Sequence, residues 1–342
     1  MARGLTKHPG TRLSFSKLIV RVALFLSIAA VILVGIIVLT ASTANDLMSS
    51  EKKAIENIPS NILPSYSATS FTSADDQTIL SGWFFKTDDP ISTVIMVHDI
   101  QSNRMPFGVD TVDLVDDLLK MHYNVFLFDL RNSGESEGAI CGYGYLEWQD
   151  VLGAIKHVKK ISVTTDVILY GIGAGCSSAL LALDKLPPAS SAEILENYSK
   201  QIVDLGFDAT YVRGIILDSP AKNSDDYITP FVYKKSKLAF LTKNFVPYAI
   251  RISAGESGNV NLATEISRLS IPVCIIYGGR DTFVGAEKIG QIVSERMRLN
   301  PNTTTSKMFS GAGYTESYLI DPSEYRDTIN EFLNTFFKQS GE

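Results

Sequence analysis

The sequence predicts an α/β fold: a mostly parallel central sheet with helices on both faces, preceded by an N-terminal transmembrane helix. Three observations carry that expectation. Short apolar runs of strand length alternate with amphipathic runs of helix length through most of the chain, which is the pattern of βαβ units. The runs are apolar throughout instead of alternating, as strands buried on both faces are. Ahead of them, Val22 to Ala41 forms 20 residues without a charge, enough as a helix to cross a hydrocarbon core of about 30 Å.

Taken in order, residues 1–21 carry Arg3, Lys7, Arg12, Lys17 and Arg21 and no acid. The positive-inside rule places this basic tail in the cytoplasm and everything after Ala41 on the exoplasmic or luminal side. The alternative is a cleaved signal peptide with Ser42–Thr43–Ala44 as its site, giving a secreted protein; the apolar run exceeds the roughly 7–15 residues of a secretory h-region, which favours a retained anchor. Residues 42–66 read as a polar stalk with Pro59 and Pro64 and a short helix around Asp46–Asn57. The folded domain is expected over 67–340.

That domain opens on a hairpin, Ser67–Thr72 and Ile79–Phe85, joined by a turn at Ala74–Gln77. Further strands are expected at Thr93–Val97, Asn124–Asp129, Asp166–Tyr170, Gly214–Leu217, Val273–Tyr277 and Thr304–Phe309. Helices are expected at Gly108–Met121, Tyr143–Lys160, Gly173–Lys185, Ala286–Leu299 and Ser323–Lys338; in the first, Val112, Val115, Leu118 and Leu119 share one face. Two insertions break the alternation. Residues 186–212 contain Pro187–Pro188 and a helix near Glu193–Leu205, and residues 220–268 are rich in aromatic and apolar side chains. In such sheets, insertions are expected over the carboxyl ends of the strands, where ligands bind.

The tail carries +5 and residues 42–342 carry −11. That balance argues against nucleic acid or anionic lipid as a partner of the globular part. Three cysteines, Cys141, Cys176 and Cys274, are too few for a disulfide framework. The four histidines, His8, His98, His122 and His157, are dispersed, and no ligand spacing for a metal is visible. No cofactor is expected.

The segment Asp166–Cys176 reads as a strand, a glycine-rich turn and a helix, the layout in which a nucleophilic serine sits on a strained elbow, Gly-x-Ser-x-Gly. Here the pattern is Gly171-x-Gly173-x-Gly175, and Gly173 has no side chain to attack with. An acyl hydrolase of this layout carries its histidine after its acid, yet no histidine follows residue 157. A dinucleotide loop would need Gly-x-Gly-x-x-Gly after the first strand, and position 176 is cysteine.

Five motifs in order extend the parallel. Val97–His98–Asp99–Ile100–Gln101–Ser102–Asn103–Arg104 follows the first strand after the hairpin. Asp129–Leu130–Arg131–Asn132–Ser133–Gly134–Glu135–Ser136 has the form Asp-x-Arg-x-x-Gly-x-Ser. The glycine elbow, Gly278–Gly279–Arg280–Asp281 and Gly311–Ala312–Gly313–Tyr314–Thr315–Glu316–Ser317 follow. Over residues 67–338 the chain resembles the α/β-hydrolase superfamily, in particular its serine hydrolase and prolyl-oligopeptidase-like branch. The resemblance implies an α/β-hydrolase fold and assigns the nucleophile to Gly173, the acid to Asp281 and the base to Tyr314, so only the acid is retained. It places oxyanion donors at the backbone of Ala174 and in the Asp99–Ile100 turn, where the Asp99 carboxylate replaces a glycine and opposes developing negative charge.

Two functional readings follow. The first is a membrane-anchored pseudo-hydrolase that binds an unidentified small ligand or protein partner, the aromatic insertion 220–268 being its expected surface. The second is an esterase or peptidase with a substitute nucleophile (Cys176, Ser177, Ser178 or Ser310) and His98 as base.

Overall fold

The computed structural model describes residues 15–59 and 61–338. Its strands are β1 (Tyr66–Thr72), β2 (Ile79–Phe85), β3 (Ser92–Val97), β4 (Tyr123–Phe128), β5 (Val167–Ile172), β6 (Val212–Asp218), β7 (Val273–Gly278) and β8 (Thr304–Phe309). They form one sheet in the order β1-β2-β4-β3-β5-β6-β7-β8. The β1–β2 and β2–β4 joins are antiparallel and the rest parallel, as the hairpin followed by βαβ units required.

The helices are α1 (Phe15–Met48), α2 (Thr111–Lys120), α3 (Trp148–Ile161), α4 (Ala174–Lys185), the single turns α5 (Ala192–Leu195) and α6 (Lys200–Val203), α7 (Asp225–Lys235), α8 (Ala239–Thr242), α9 (Phe245–Ser253), α10 (Leu262–Arg268), α11 (Ala286–Leu299), α12 (Ser317–Ile320) and α13 (Pro322–Phe336). Side chains alternate along each strand, so β3 sends Ile95 and Val97 into a core with α3, α4 and α11. It sends Val94 and Met96 to the other face, against α2 and α13. Both faces of the sheet are covered.

The Asp-x-Arg-x-x-Gly-x-Ser motif turns out to be scaffold. Asp129, fully buried, accepts from the backbone N–H of Arg104 at 2.7 Å, from Arg104 Nη2 at 2.6 Å and from the N–H of Glu135 at 2.8 Å. Arg131 is clamped by Asp150, with Nη2 2.7 Å from Oδ1, and Ser136 Oγ donates to the carbonyl of Asp129 at 2.6 Å. These charge-assisted bonds lock the loop after β4 onto the domain.

Three expectations need correction. Residues 42–66 are not a free stalk: α1 continues without a break to Met48, and the chain beyond it lies on the domain. The carbonyls of Met48, Ser50 and Ala54 accept from the Cys141 N–H (2.7 Å), Asn132 Nδ2 (3.0 Å) and Asn103 Nδ2 (2.9 Å), so these backbone groups are satisfied by the loops they cover. The helix expected from Tyr143 begins only at Trp148. Glu147 accepts the N–H groups of Gly142 and Gly144 at 2.6 and 2.7 Å, and Tyr143 and Gly144 take φ values of +56° and +102°, which holds that stretch as a turn.

Residues 186–212, finally, do not lie over the carboxyl ends of the strands. They run from the far end of α4 to the start of β6, so they pack beside α3, with Tyr211 Oη donating to the Thr164 carbonyl at 3.4 Å and Lys159 Nζ donating to the Gly206 carbonyl. The helix expected there is two separate turns, interrupted at residues 196–199.

Candidate functional site

β5 ends at Ile172 and α4 begins at Ala174, so Gly173 is the pivot of the elbow, at φ +55°, ψ −127°. A residue with a side chain is strained by about 1–3 kcal/mol in such a region, and glycine is not. The space is also taken. A Cβ added at 173 would fall on the Tyr314 hydroxyl and the Asp99 carboxyl carbon, and 2.6 Å from Asp99 Oδ1.

Asp99 comes from the loop after β3 and is half-buried. Its Oδ1 accepts the N–H of Ala174 at 2.8 Å and its neighbour Ile100's at 2.8 Å. The N–H groups of Ala174 and of the Asp99–Ile100 turn, which the resemblance names as oxyanion donors, thus converge on one oxygen of this chain's own carboxylate. Burial pushes the Asp99 pKa up to about 6, against the lowering effect of the two N–H groups and of the nearby Tyr314 hydroxyl. Tyr314 stacks on Phe283 with ring centroids 4.4 Å apart. Burial and the adjacent carboxylate push its own pKa far above 10, which makes it a neutral donor.

The Asp99 shift gives a pH signature. Because its folded pKa lies above the unfolded 3.8, the native state binds more protons through that window, and the group costs stability as pH rises through it. Asp99→Asn keeps an oxygen for both N–H groups and removes the titration. The stability of the variant relative to the parent is expected to rise by on the order of 1–3 kcal/mol between pH 4 and 7, checked by chemical unfolding of both proteins across that range.

Asp281 follows β7. Its Oδ1 accepts from the N–H groups of Phe283 (2.7 Å), Val284 (2.9 Å) and Gly285 (3.4 Å), capping the turn before α11. Its Oδ2 is buried without a partner, and burial raises the carboxyl pKa. Asp281, which the resemblance names as the triad acid, thus uses one oxygen to cap the turn and keeps the other without a hydrogen bond.

The substitute groups fit poorly. His98 is buried, with Nδ1 2.7 Å from the Asp99 carbonyl and Nε2 3.0 Å from the Leu130 N–H. Both ring nitrogens are thus held by backbone as a neutral tautomer, and burial lowers the pKa further. The Cys176 thiol is fully buried, donates to the carbonyls of Gly171 and Asp218 at 3.2 Å and is pushed well up in pKa, the reverse of an activated thiolate. Ser177 and Ser178 are fully buried, paired with Ser224 Oγ and the Ala174 carbonyl, and Ser310 is exposed at the end of β8.

The structure gives the aromatic segment Tyr227–Phe231 of the second insertion a place, and adds Phe283 and Asp218–Ser219, which the sequence did not single out. Phe231 of α7 packs on Phe283 (5.2 Å), and Tyr227 approaches Tyr314 (6.2 Å), so the 220–268 insertion roofs the elbow with aromatic rings. Beneath it, Asp218 accepts from Tyr325 Oη (2.8 Å) and Ser219 Oγ (2.9 Å), and Ser219 Oγ accepts the Thr315 N–H at 3.1 Å. Asp218–Ser219 at the end of β6 was a visible acid–hydroxyl pair, but no spacing marked it. The free space at the elbow is a hollow of about 200 Å³ touching Asp99, Ile172 and Thr315, small beside the roughly 300–1,000 Å³ of ligand pockets. A cleft of about 700 Å³, lined in part by Asn261, Arg268 and Lys288, shares no lining residue with it. Among the described residues no group of three or more His, Cys, Asp or Glu side chains could hold a metal ion.

No protein-family model matches the chain. The uncharacterized protein YfhR of Escherichia coli (strain K12) is 30% identical over 235 residues, covering 66% of this chain and 68% of that protein. YfhR of Salmonella typhimurium is 30% identical over 153 residues; in that alignment the chain spans about half of its relative, 46%. In three dimensions the chain is similar to the Pyrococcus furiosus esterase Pf2001, with a TM-score of 0.62 at 22% identity, covering 84% of this chain and all of that one. It is also similar to an esterase of Exiguobacterium antarcticum, with a TM-score of 0.51 at 15% identity over 78% of this chain. The strand order, the elbow and the structural likenesses give the chain an α/β-hydrolase fold, and the 30% identity over two thirds of its Escherichia coli relative places it in the family of the uncharacterized protein YfhR.

Proposed function

We propose that the chain is a membrane-anchored hydrolase-fold protein without hydrolase activity, working as a binding module. One observation carries this reading: the Asp99 carboxylate accepts the two N–H groups at 2.8 Å that an oxyanion would need, directly over a Gly173 with no nucleophile. A fixed negative charge at that point repels the charge a tetrahedral intermediate develops. The absence of any histidine after residue 157 supports the same reading, since Tyr314 cannot accept a proton near neutral pH. The anchor reading draws support from α1, in which residues 17–48 form a helix long and apolar enough to cross a membrane. The basic tail orients it with the domain exoplasmic or luminal.

The similar esterases keep an active reading in view, and turnover decides it. The full chain in detergent micelles is expected to leave nitrophenyl esters of acetate through palmitate at the spontaneous rate. Saturable hydrolysis, abolished by replacing one serine or cysteine, would establish the esterase instead.

A further inference from the structure

We infer that the outer face of the cap, formed by α8 and α9, is immersed in the lipid bilayer beside α1, in the leaflet that the domain faces. The inference rests on the anchor reading and goes beyond it, because an anchor alone leaves the domain in water.

α9 turns Val246, Pro247 and Ile250 into the core. Its opposite face carries Phe245, Tyr248 and Ile252, and the preceding segment carries Leu238, Phe240 and Leu241, all 38–65% exposed. This face continues the span directly. Leu33, Ile37 and Ala41 of α1 meet Phe245, Tyr248 and Ile252 across an apolar hollow of about 470 Å³. At about 1.5 Å per residue, the apolar run fills about 30 Å, and the stretch from Leu33 to Ala41 is its outermost ~12 Å. If the whole run lies in hydrocarbon, the helix beside its outer end lies at the acyl–headgroup boundary.

Charge points to the same occupant. Residues 42–342 carry −11, yet from Val232 to Ala254 there are five basic residues and no acid; Lys235 and Arg251 pair with Asp46 and Asp225, which leaves Lys234, Lys237 and Lys243 to flank the apolar face. Aromatic and aliphatic side chains on one face, with Lys and Arg around them, are what an interfacial helix presents to lipid, burying its apolar face by ~5–10 Å. The overall acidity of residues 42–342, which argues against anionic lipid as a partner, conceals this local patch.

The test uses nitroxide labels on the full chain, since Cys141, Cys176 and Cys274 are buried free thiols. Single substitutions Phe240→Cys and Tyr248→Cys probe the cap, Val31→Cys the span, and Val163→Cys the loop before β5, which is 83% exposed. The labelled proteins are reconstituted in phosphatidylcholine–phosphatidylglycerol vesicles, and collision rates with oxygen and with a water-soluble nickel chelate are compared. The oxygen-to-nickel ratio at 240 and 248 is expected to approach that at 31 and to exceed that at 163 several-fold. Ratios at 240 and 248 equal to that at 163, with 31 still lipidic, would overturn the inference and leave the anchor intact. Weak collision with both reagents at 240 and 248 would mean a protein cover and would also overturn it. A water-like ratio at 31 would remove the anchor reading and the inference with it.

Discussion

Gly173→Ser, made alone, is expected to destabilise the domain by about 3–5 kcal/mol, adding backbone strain to overpacking, and to leave the protein inert towards esters. The new side chain would enter a left-handed pivot at φ +55° and fall against Asp99 and Tyr314. Thermal and chemical unfolding of the variant check the first half. Restoring nucleophile and base together, Gly173→Ser with Tyr314→His, is the change the sequence suggests, and it is expected to fail while Asp99 fills the oxyanion site. Adding Asp99→Gly clears the two N–H groups. The triple variant is expected to exceed the double variant in short-chain ester turnover by on the order of 10²-fold, the weight of an oxyanion interaction. Equal rates for the two would mean that Asp99 is not the obstruction.

Asp129→Ala is expected to cost about 3 kcal/mol, because it removes the buried partner of Arg104 and leaves the guanidinium only the exposed Glu135 carboxylate at 2.8 Å. Arg104 is only 1% exposed in its side chain, and the N–H groups of Arg104 and Glu135 lose their acceptor as well. The exposed pair Arg298–Glu295, at 2.7 Å, is the control: Glu295→Gln is expected to leave the unfolding midpoint unchanged, since exposed pairs contribute little. Comparable losses in the two variants would contradict the view that the Asp-x-Arg motif is scaffold.

The architecture was legible because strand burial and helix periodicity are local signals. All eight strands lie within a few residues of their expected positions, and Ala286–Leu299 is a helix as expected. What escaped the sequence depended on contacts distant in the chain. The stretch after Ala41 looked like a stalk because its polar residues give no periodicity, and its docking rests on groups distant in sequence, the Cys141 N–H and the amides of Asn103 and Asn132. Residues 186–212 were expected over the site because insertion length says nothing of which end of the sheet a connection leaves. At the elbow, the sequence showed a missing serine and a missing histidine. It also placed a carboxylate at position 99 near the oxyanion donors. It could not show that this carboxylate accepts both donors, that Tyr314 closes over it, or that Phe231 and Phe283 roof the pair, since those are facts of packing between β3, β5, β7 and the cap.

The most direct test of a filled, nucleophile-free elbow is labelling of the full chain, in detergent micelles at neutral pH, with a fluorophosphonate probe for activated serines. An authentic serine hydrolase of the same fold, treated in parallel, is the positive control. No incorporation into a cooperatively folded sample is the predicted result. Stoichiometric labelling of one serine, lost when that serine is replaced by alanine, would contradict the account and make this chain an enzyme.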